Sequence, residues 1–562
     1  MTYSETSASN PVTDVVVIGS GAAGMTAAIT ATQLGRRVIV VEKSAFVGGT
    51  AALSGGAVWV PNTHLASGHD DSYEKARRYL DAIVGDLIAP EMKDTFLTRG
   101  PEAIAFIEDN SKLKFSARAY GPDYFDGPGS ALGRRLLDPA PFDGRSLGTQ
   151  FTRLRPPLPE FGLFGKMMVN TADLGALLAA RRSPKAFWHA SKIITRYAVD
   201  RLRGYPRGTR LLIGNGMMAA LYATTLDRDI PIWCNSPARR ILTQDGRITG
   251  VEVEREGTFV TIPAESVILA SGGFAGSEDL RARLVPEAPA PLTAGLMSNT
   301  GEGLRMAEAV GGQVDAGNSN GAFWSPVSLV RRKDGTVAHF PHLMFDRAKP
   351  GMIAVGPVGK RFVNESNSYH EFGKAMIASK VDHAFLIADS NFAARYTIGP
   401  VPPVATERRK FVRDGYLLEG RSLEDLATKA GLDPAVFSAT IAQFNASARK
   451  GEDPEFGKGT SAYNRNLGDP KHTGNPCVAP IEKGPFYAVK VYLGDIGTAR
   501  GLAVNTDAQV LDAEGVPIPG LYAAGNDMSS MMGGEYPGPG ITLGPAITFG
   551  YLAAKHAARS NA

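Results

Sequence analysis

The sequence predicts an α/β protein that contains a Rossmann-type domain, and three observations support this fold class. A strand, a glycine-rich turn, a helix and a second strand follow one another between residues 15 and 42. A further apolar strand, at residues 267–269, again runs into a glycine turn. The chain has 562 residues, which is too long for one simple core, so we expect two or more domains.

The composition is that of a soluble globular protein, with 43% hydrophobic and 21% charged residues. The net charge of +4 is not a general nucleic-acid signature, so we expect no nucleic-acid partner. The two cysteines, Cys234 and Cys477, are far apart, and the nine histidines show no metal-ligand spacing. We therefore expect no metal site, no iron–sulfur cluster and no disulfide framework.

Targeting and membrane-spanning patterns are not evident. The N-terminal stretch MTYSETSASNPVTD lacks a basic segment followed by an apolar core, so we expect no secretory signal. We find no run of about 18 apolar residues, the length a membrane-spanning helix needs. These features predict a cytoplasmic protein, with peripheral attachment to the inner face of the cell membrane as the alternative.

The first strand and its glycine-rich turn predict a dinucleotide site. Val15–Ile18 is a continuous apolar run, and Glu42 ends the second strand, Val38–Val41. In the turn, the first glycine allows a tight bend, the second lets backbone approach a pyrophosphate, and the third lets helix and strand pack closely. A glycine-rich turn without a ligand is the alternative, but the complete order of elements favours a nucleotide. The predicted binding residues are Gly19, Ser20, Gly21, Ala22, Ala23, Gly24 and Glu42.

A second glycine-rich segment follows the carboxylate at once and suits a ligand longer than NAD. The predicted contacts in this segment are Lys43, Gly49, Thr50, Ala51, Ser54, Gly55 and Gly56. This arrangement resembles the flavoprotein family of fumarate reductases, succinate dehydrogenases and 3-ketosteroid dehydrogenases. In covalent members of that family, a histidine in this segment carries the flavin. Residues 49–56 contain no histidine, so the resemblance implies non-covalent FAD.

Two later segments resemble FAD-contacting parts of the same family. One is the strand and turn at 267–274, with Ala270 and Gly272, and the other is 518–526, with Gly525 and Asn526. The resemblance therefore implies a discontinuous Rossmann-type FAD-binding domain with an inserted α+β catalytic domain. We place the FAD-binding domain at residues 1–320 and 498–562, and the catalytic substrate domain at residues 321–497.

The stretch GGEYPGPGITLGPAITFG, residues 533–550, contains a stiff turn that is followed by a predicted helix start. Thr542 and Leu543 would place the positive end of the helix dipole at the flavin, where negative charge gathers on reduction. Tyr536 and the Gly540 amide would then face the substrate. This turn is most similar to that of 3-ketosteroid Δ1-dehydrogenases, and the resemblance extends over nearly the whole chain.

The resemblance to 3-ketosteroid Δ1-dehydrogenases implies a role for each tyrosine. Tyr536 and the Gly540 N–H would bind the C3 carbonyl oxygen, and Tyr369, which follows an Asn-Glu pair, would take the C2 proton. Tyr124 would assist that base through a hydrogen bond, with Tyr120 as the alternative residue. Hydride transfer from C1 to flavin N5 would then leave a 1,2-double bond. An electron acceptor is required, but the sequence identifies neither the acceptor, nor the steroid side chain, nor the oligomeric state.

Several other interpretations of the chain stay open. Any one of the 17 tyrosines could be an ordinary core residue, and the same holds for Phe323, Trp324 and Pro326 as walls of a steroid slot. A soluble fumarate-reductase-like enzyme is one alternative, although residues 494–501 lack the histidine seen in fumarate reductases of the family. A 4-ene-forming steroid dehydrogenase and a flavin electron-transfer subunit are the others.

Residues 181–210 form a basic segment with a helical pattern and only one acidic residue, Asp200. With its aromatic residues, this pattern suits a membrane interface, and a steroid substrate would partition into the same membrane. The alternative is an ordinary surface helix whose apolar face packs on the FAD-binding domain. The nine basic residues are Arg181, Arg182, Lys185, Lys192, Arg196, Arg201, Arg203, Arg207 and Arg210.

Overall fold

The structure, a computed structural model, describes residues 13–163, 165–180 and 183–560. Arg181 and Arg182 lie outside the described residues. The helices are α1 Ala22–Gln33, α2 Tyr73–Ile83, α3 Pro90–Asn110, α4 Thr171–Ala179, α5 Pro184–Leu202, α6 Ile213–Asp227, α7 Glu278–Leu284, α8 Glu302–Glu308, α9 Tyr369–Ala378, α10 Ser390–Ala393, α11 Ala405–Arg413, α12 Leu423–Ala430, α13 Pro434–Ala448, α14 Ala462–Leu467 and α15 Leu543–Ser560.

The strands are mostly short. They are β1 Val15–Ile18, β2 Val38–Val41, β3 Val58–Trp59, β4 Phe115–Ala117, β5 Leu136–Pro139, β6 Phe142–Asp143, β7 Gly162–Leu163, β8 Met167–Met168, β9 Arg210–Leu211, β10 Ile232–Trp233, β11 Ala238–Gln244, β12 Arg247–Arg255, β13 Thr258–Pro263, β14 Ser266–Leu269, β15 Val314–Asp315, β16 Ala322–Arg331, β17 Val337–Pro341, β18 Met352–Val355, β19 His383–Ala388, β20 Leu417–Gly420, β21 Phe486–Thr498, β22 Gly501–Leu502, β23 Gln509–Leu511 and β24 Pro517–Ala523.

The first sheet has the strand order β10-β2-β1-β14-β24-β23. All its pairs are parallel except β23 with β24. Its central strands are apolar along their whole length because other elements cover them: helices α1 and α15 contact these strands, and so does β12 of the antiparallel sheet β11-β12-β13. Helices α1 and α15, from opposite ends of the chain, pack against each other, and a Cβ on Gly550 would lie 2.5 Å from the Ala23 carbonyl oxygen. The strands of this sheet thus come from both ends of the chain.

The second large sheet is antiparallel, in the order β17-β16-β21-β19-β18, with β20 also paired to β21. Helices α9 and α12 pack against it. This arrangement is of the predicted α+β type. The domain boundaries at 320 and 497 stay a prediction, although β16 begins and β21 ends close to them.

No helix among the described residues is both long and apolar enough to cross a bilayer. Within the same residues, no group of three or more His, Cys, Asp and Glu side chains is arranged to hold a metal ion.

Candidate active site

The turn after β1 has the geometry that its glycines predict. Gly19 has a φ of +106°, and a Cβ there would lie 2.2 Å from the Ala270 carbonyl oxygen. A Cβ on Gly24 would lie 2.0 Å from the Gly19 carbonyl oxygen, so this glycine allows helix and strand to approach. A Cβ on Gly21 would meet no protein atom within 4 Å. The turn therefore leaves open space at Gly21, where the sequence predicts a pyrophosphate.

The carboxylate at the end of β2 closes the other side of this cradle. Glu42 is buried and accepts hydrogen bonds from the Ser20 hydroxyl at 2.7 Å and the Ser44 N–H at 2.9 Å. Lys43 pairs with Glu302 at 2.8 Å. The two serine contacts orient the Glu42 carboxylate, which retains acceptor capacity for ribose hydroxyls.

One continuous cavity with a volume of 1860 Å³ joins the cradle to the candidate catalytic residues. A site for a single small ligand usually has about 300–1,000 Å³, so this cavity has room for a dinucleotide and a second ligand. Gly24 is the only predicted cofactor residue that does not line it, in agreement with its packing role. Those that do are Gly19, Ser20, Gly21, Ala22, Ala23, Glu42, Lys43, Gly49, Thr50, Ala51, Ser54, Gly55, Gly56, Ala270, Gly272, Gly525, Asn526, Thr542 and Leu543.

Three of the predicted tyrosines meet at this cavity. The ring centroids of Tyr369 and Tyr536 are 5.2 Å apart, and Tyr124 lies 5.6 Å from Tyr536 and 5.8 Å from Tyr369. All three rings are buried and line the cavity. Tyr120, the alternative to Tyr124, is 51% exposed and lies outside the lining. The structure thus brings together Tyr124, Tyr369 and Tyr536, and leaves Tyr120 at the surface.

Tyr369 is placed by a buried charge network in the loop before it. It is the first residue of α9, whose N-cap is Ser368. In the Asn-Glu pair upstream, Glu365 accepts two hydrogen bonds from Arg361, each 3.0 Å long, and Asn364 donates to Asn464 at 3.0 Å. A paired carboxylate that is fully buried costs less than an unpaired one, so the network stabilises a single loop conformation. This explains why the Asn-Glu pair precedes the tyrosine.

The Gly540 N–H lies next to the Tyr536 hydroxyl. The φ of Gly540 is +99°, and a Cβ there would lie 2.3 Å from the Ala57 carbonyl oxygen, so only glycine fits. Burial raises the pKa of Tyr536 to about 12, while hydrogen bonds from Tyr369, from Thr542 and from the Gly540 N–H oppose the rise. The phenol and the amide N–H therefore form a neighbouring pair of donors, suited to a carbonyl oxygen that gains negative charge.

The phenol of Tyr369 is coupled to that of Tyr124. Burial raises the pKa of Tyr369 well above its usual value, the neighbouring Tyr536 raises it further, and a hydrogen bond from Tyr124 lowers it. Burial also raises the pKa of Tyr124 well above its usual value, and its bond to Tyr369 adds to the rise. A hydrogen bond that Tyr124 donates to Tyr369 accounts for both effects, and this is the polarity that a base at Tyr369 needs.

We expect the rate of proton abstraction to rise with pH. Because the Tyr369 pKa is above its ordinary value of about 10, the phenolate fraction should increase about tenfold per unit from pH 6 to pH 9. Stopped-flow measurement of flavin bleaching by substrate would show this slope. Tyr120→Phe should keep the profile, whereas Tyr124→Phe should be slower throughout the range. A flat wild-type profile would contradict a phenolic base.

Three residues that sequence reasoning missed also shape the site. Tyr463 packs on Tyr124 with ring centroids 4.4 Å apart, and burial raises its pKa to about 12 against the lowering effect of Arg347. Asp527 accepts hydrogen bonds from Ser271 and Gly273, which ties the two later glycine segments together. Arg155 lines the cavity and has an unpartnered, buried Nε. Each depends on contacts distant in sequence, so no local pattern marks it.

Phe323 and Trp324 do not wall the slot. Both are buried on β16, where the Phe323 ring packs against Tyr536, and neither lines the large cavity. An apolar slot is instead lined by residues of the segments 158–163, 165–177, 340–346 and 396–411. Its apolar side chains include Leu158, Leu163, Phe340, Leu343, Phe345 and Phe411.

The residues that line the cavity also lead us to expect that FAD is attached non-covalently. Thr50, Ala51 and Ser54 line the cavity where a covalent histidine would stand. Acid precipitation should therefore release yellow flavin into the supernatant. Flavin that stays with the protein pellet would contradict this prediction.

Comparison with known proteins gives a consistent result over nearly the full length. The family model described as "FAD binding domain" matches residues 14–543. A 4-oxocyclohex-2-ene-1-carboxylate 5-dehydrogenase of Sinomonas cyclohexanicum is 38% identical, over 97% of this chain and 94% of its own. A 3-oxosteroid 1-dehydrogenase of Mycolicibacterium smegmatis is 36% identical, over 96% of each chain.

A solved structure agrees with these relatives. The 3-ketosteroid Δ1-dehydrogenase of Sterolibacterium denitrificans, in complex with 1,4-androstadiene-3,17-dione, superimposes with a TM-score of 0.91 at 36% identity. The match covers 98% of this chain and 99% of that one. The predicted fold class and the FAD cofactor are thereby confirmed.

Proposed function

We propose, on the premise that this chain belongs to the FAD binding domain family, that it is an FAD-dependent dehydrogenase that introduces the 1,2-double bond into 3-ketosteroids. The observation that carries this proposal is the meeting of Tyr124, Tyr369, Tyr536 and Gly540 in one cavity with the dinucleotide cradle. The apolar slot beside them suits a large, mostly apolar ketone.

The residues divide the reaction between them. The Tyr536 hydroxyl and the Gly540 N–H donate hydrogen bonds to the C3 carbonyl oxygen, which gains enolate charge as the C2 proton leaves. Tyr369 takes that proton, and a hydrogen bond from Tyr124 stabilises its phenolate form. FAD supplies the acceptor for the hydride that leaves C1. Loss of the C2 proton and the C1 hydride leaves a double bond between C1 and C2.

The test is anaerobic mixing of the purified protein with 4-androstene-3,17-dione. The flavin should bleach in a single turnover, and the product should be lighter by two hydrogens, with its new double bond between C1 and C2. A product without that double bond would overturn the proposal. So would a steroid that leaves the flavin oxidised, if fumarate is turned over when a chemical reductant supplies the electrons.

A second candidate substrate class is the 4-oxocyclohexanecarboxylates, because a relative named for such chemistry is 38% identical. The desaturation is the same, but these substrates carry a carboxylate. Among the cavity-lining cations, Arg118 is paired with Asp138 at 2.6 Å and Lys43 with Glu302 at 2.8 Å, whereas Arg155 has a buried Nε without a partner. The apolar slot favours the steroid, and Arg155 is a cation that a carboxylate substrate could meet. Parallel bleaching by 4-oxocyclohexanecarboxylate would rank the two classes by rate.

A fumarate-reductase-like activity is less well supported by the segment 494–501. Asp495 is buried in an ion pair with Arg281 at 2.6 Å. Arg500 donates to the carbonyl oxygens of Leu284 and Asn318. None of these three charged residues lines the cavity, so this segment presents no cation to a dicarboxylate.

We also propose that α5 binds an anionic membrane surface. Its outward face has an apolar centre, with Trp188 73%, Phe187 54%, Ile194 41% and Leu202 87% exposed. Exposed cations flank this centre, Lys185, Lys192 and Arg203 on one side and Arg201 on the other. Phe187 and Ile194, which share the apolar face of the helical pattern, therefore face outward. Ala190 and Asp200 are the residues that face the protein instead.

The position of α5 relative to the cavity also supports membrane binding. Helix α4 packs against α5, and Asn170 and Leu177, at its start and within it, line the cavity. A membrane bound at α5 would therefore lie close to the apolar slot, from which a steroid could enter. Each basic residue near an anionic surface contributes about 1 kcal/mol, and the aromatic rings suit the headgroup boundary.

The experiment uses surface substitutions, because Arg207 and Asp200 are buried and replacement of the whole segment would remove core contacts. Phe187→Ser combined with Trp188→Ser should abolish binding to phosphatidylcholine vesicles that contain phosphatidylglycerol. Wild-type binding should weaken in high salt and be absent without the anionic lipid. Phe259→Ser, at another exposed aromatic residue, is the matched control. Equal binding by all variants would exclude α5 as the contact.

A further inference from the structure

Tyr124 comes from a segment without regular secondary structure, between β4 and β5, yet its ring is buried. The adjacent residue, Asp123, lies behind it and is 2% exposed. The Asp123 carboxylate accepts hydrogen bonds from the Trp59 indole N–H at 2.8 Å, the Arg135 guanidinium at 2.7 Å and the Ala131 N–H at 2.9 Å. A carboxylate with three donors fixes the backbone at Asp123, and hence at Tyr124.

Trp59 also contacts the turn that carries Tyr536 and Gly540. Its main-chain N–H donates to the Gly540 carbonyl oxygen at 3.2 Å. A Cβ on Gly538 would lie 2.6 Å from the indole Nε1, so the ring packs directly against the turn. In addition, the Tyr124 N–H donates to the Pro537 carbonyl oxygen at 3.0 Å. One tryptophan thus contacts both elements that build the site.

The arginine that pairs with Asp123 is shared with a second carboxylate. Arg135 is 1% exposed and donates to Asp123 and, at 2.8 Å, to Asp71. The Asp71 side chain is as deeply buried as that of Asp123, and it meets the same guanidinium. The indole N–H of Trp59 binds Asp123 alone. Asp71 is therefore a matched control for burial and for the ion pair.

We propose that Asp123 and Trp59 form a joint that sets the position of Tyr124 relative to Tyr536 and Gly540, with Asp123 as a positioning residue that acts through Tyr124. This inference rests on the proposed function, in which Tyr124 donates to the base. Neither Asp123 nor Trp59 lines the cavity, so neither touches the substrate. A displacement of about 1 Å at such a donor costs up to about 10²-fold in rate.

The test is a double-mutant cycle on anaerobic flavin bleaching by 4-androstene-3,17-dione. Asp123→Asn should slow bleaching about tenfold to a hundredfold. Because Tyr536 and Gly540 are retained, the dissociation constant of the product, read from the flavin spectrum, should change less than about threefold. In a Tyr124→Phe background, Asp123→Asn should change the rate less than about twofold.

Asp71→Asn should leave bleaching within about threefold of wild type. The proposal would be overturned if Asp123→Asn lowered the bleaching rate by the same factor in the wild-type and the Tyr124→Phe backgrounds. It would also be overturned if Asp71→Asn lowered the rate as much as Asp123→Asn does. If Asp123→Asn does not retain FAD, Trp59→Phe replaces it in the cycle, since it keeps the main-chain bond to Gly540. If the steroid does not bleach the wild type, the proposed function fails, and the same cycle with 4-oxocyclohexanecarboxylate still decides on the joint.

Discussion

Tyr369→Phe should lower the rate of flavin bleaching by substrate about 10²–10⁴-fold, the usual contribution of a general base. The variant keeps the buried ring and its packing against Tyr536 but has no oxygen to receive the C2 proton. FAD content and melting temperature should be those of the wild type. The measurement is stopped-flow bleaching at a pH where the wild type is fast.

Two further substitutions make this result specific. Tyr536→Phe removes one of the two donors to the carbonyl oxygen and should cost about 10²–10³-fold. Tyr120→Phe changes a tyrosine that is 51% exposed and outside the cavity lining, and should leave the rate unchanged. A wild-type rate in Tyr369→Phe would remove that residue from the role of base, whatever the other variants show.

Gly21→Val should weaken FAD binding about 100-fold or more, which is about 2.8 kcal/mol. Gly21 has φ −75° and ψ −171°, an extended conformation that valine adopts without strain. Its Cβ would meet no protein atom within 4 Å and would enter the space beside the phosphate cradle. The apoprotein should therefore fold normally while the cofactor is excluded. Titration of apoprotein with FAD, followed by flavin fluorescence, measures the change.

Two other glycine variants serve as comparisons for Gly21→Val. Gly175→Val adds a side chain on α4, where a Cβ also meets no protein atom within 4 Å. Because Gly175 does not line the cavity, the FAD affinity of this variant should stay at the wild-type value. Gly19→Ala should destabilise the fold itself, because φ is +106° and the new Cβ would lie 2.2 Å from Ala270. Undiminished FAD affinity in Gly21→Val would mean that the pyrophosphate is not bound at this turn.

Local sequence determined the first strand, the glycine turn, the helix and the second strand, because their spacing depends on backbone sterics within about 30 residues. Val15–Ile18, Ala22–Gln33 and Val38–Val41 lie where the pattern predicts. The turn from Tyr536 to Gly540 is local in its backbone conformation, since a φ of +99° at Gly540 favours glycine, whereas the close approach of Gly540 to the Ala57 carbonyl oxygen is a tertiary contact.

The resemblance favoured Tyr124 over Tyr120, and the tertiary structure gives the physical difference between them. Both lie in the same short segment, but Tyr124 packs against Tyr369, Tyr463 and Tyr536, whereas Tyr120 is 51% exposed. The direction in which α5 faces was decided by the tertiary structure. A helical pattern gives two faces, but which one is buried depends on partners such as Arg145 and Thr209, which hold Asp200.

The sequence by itself thus determined the first strand–helix–strand unit, its cofactor cradle and the glycine turn that follows Tyr536, all of which depend on backbone conformation over a few residues. The tertiary structure decided how the tyrosines meet, what walls the slot and how Asp123 and Trp59 join the two halves of the site. Those contacts pair residues as far apart as Trp59 and Gly540. Their energies depend on burial and distance in the folded chain, which no local pattern encodes.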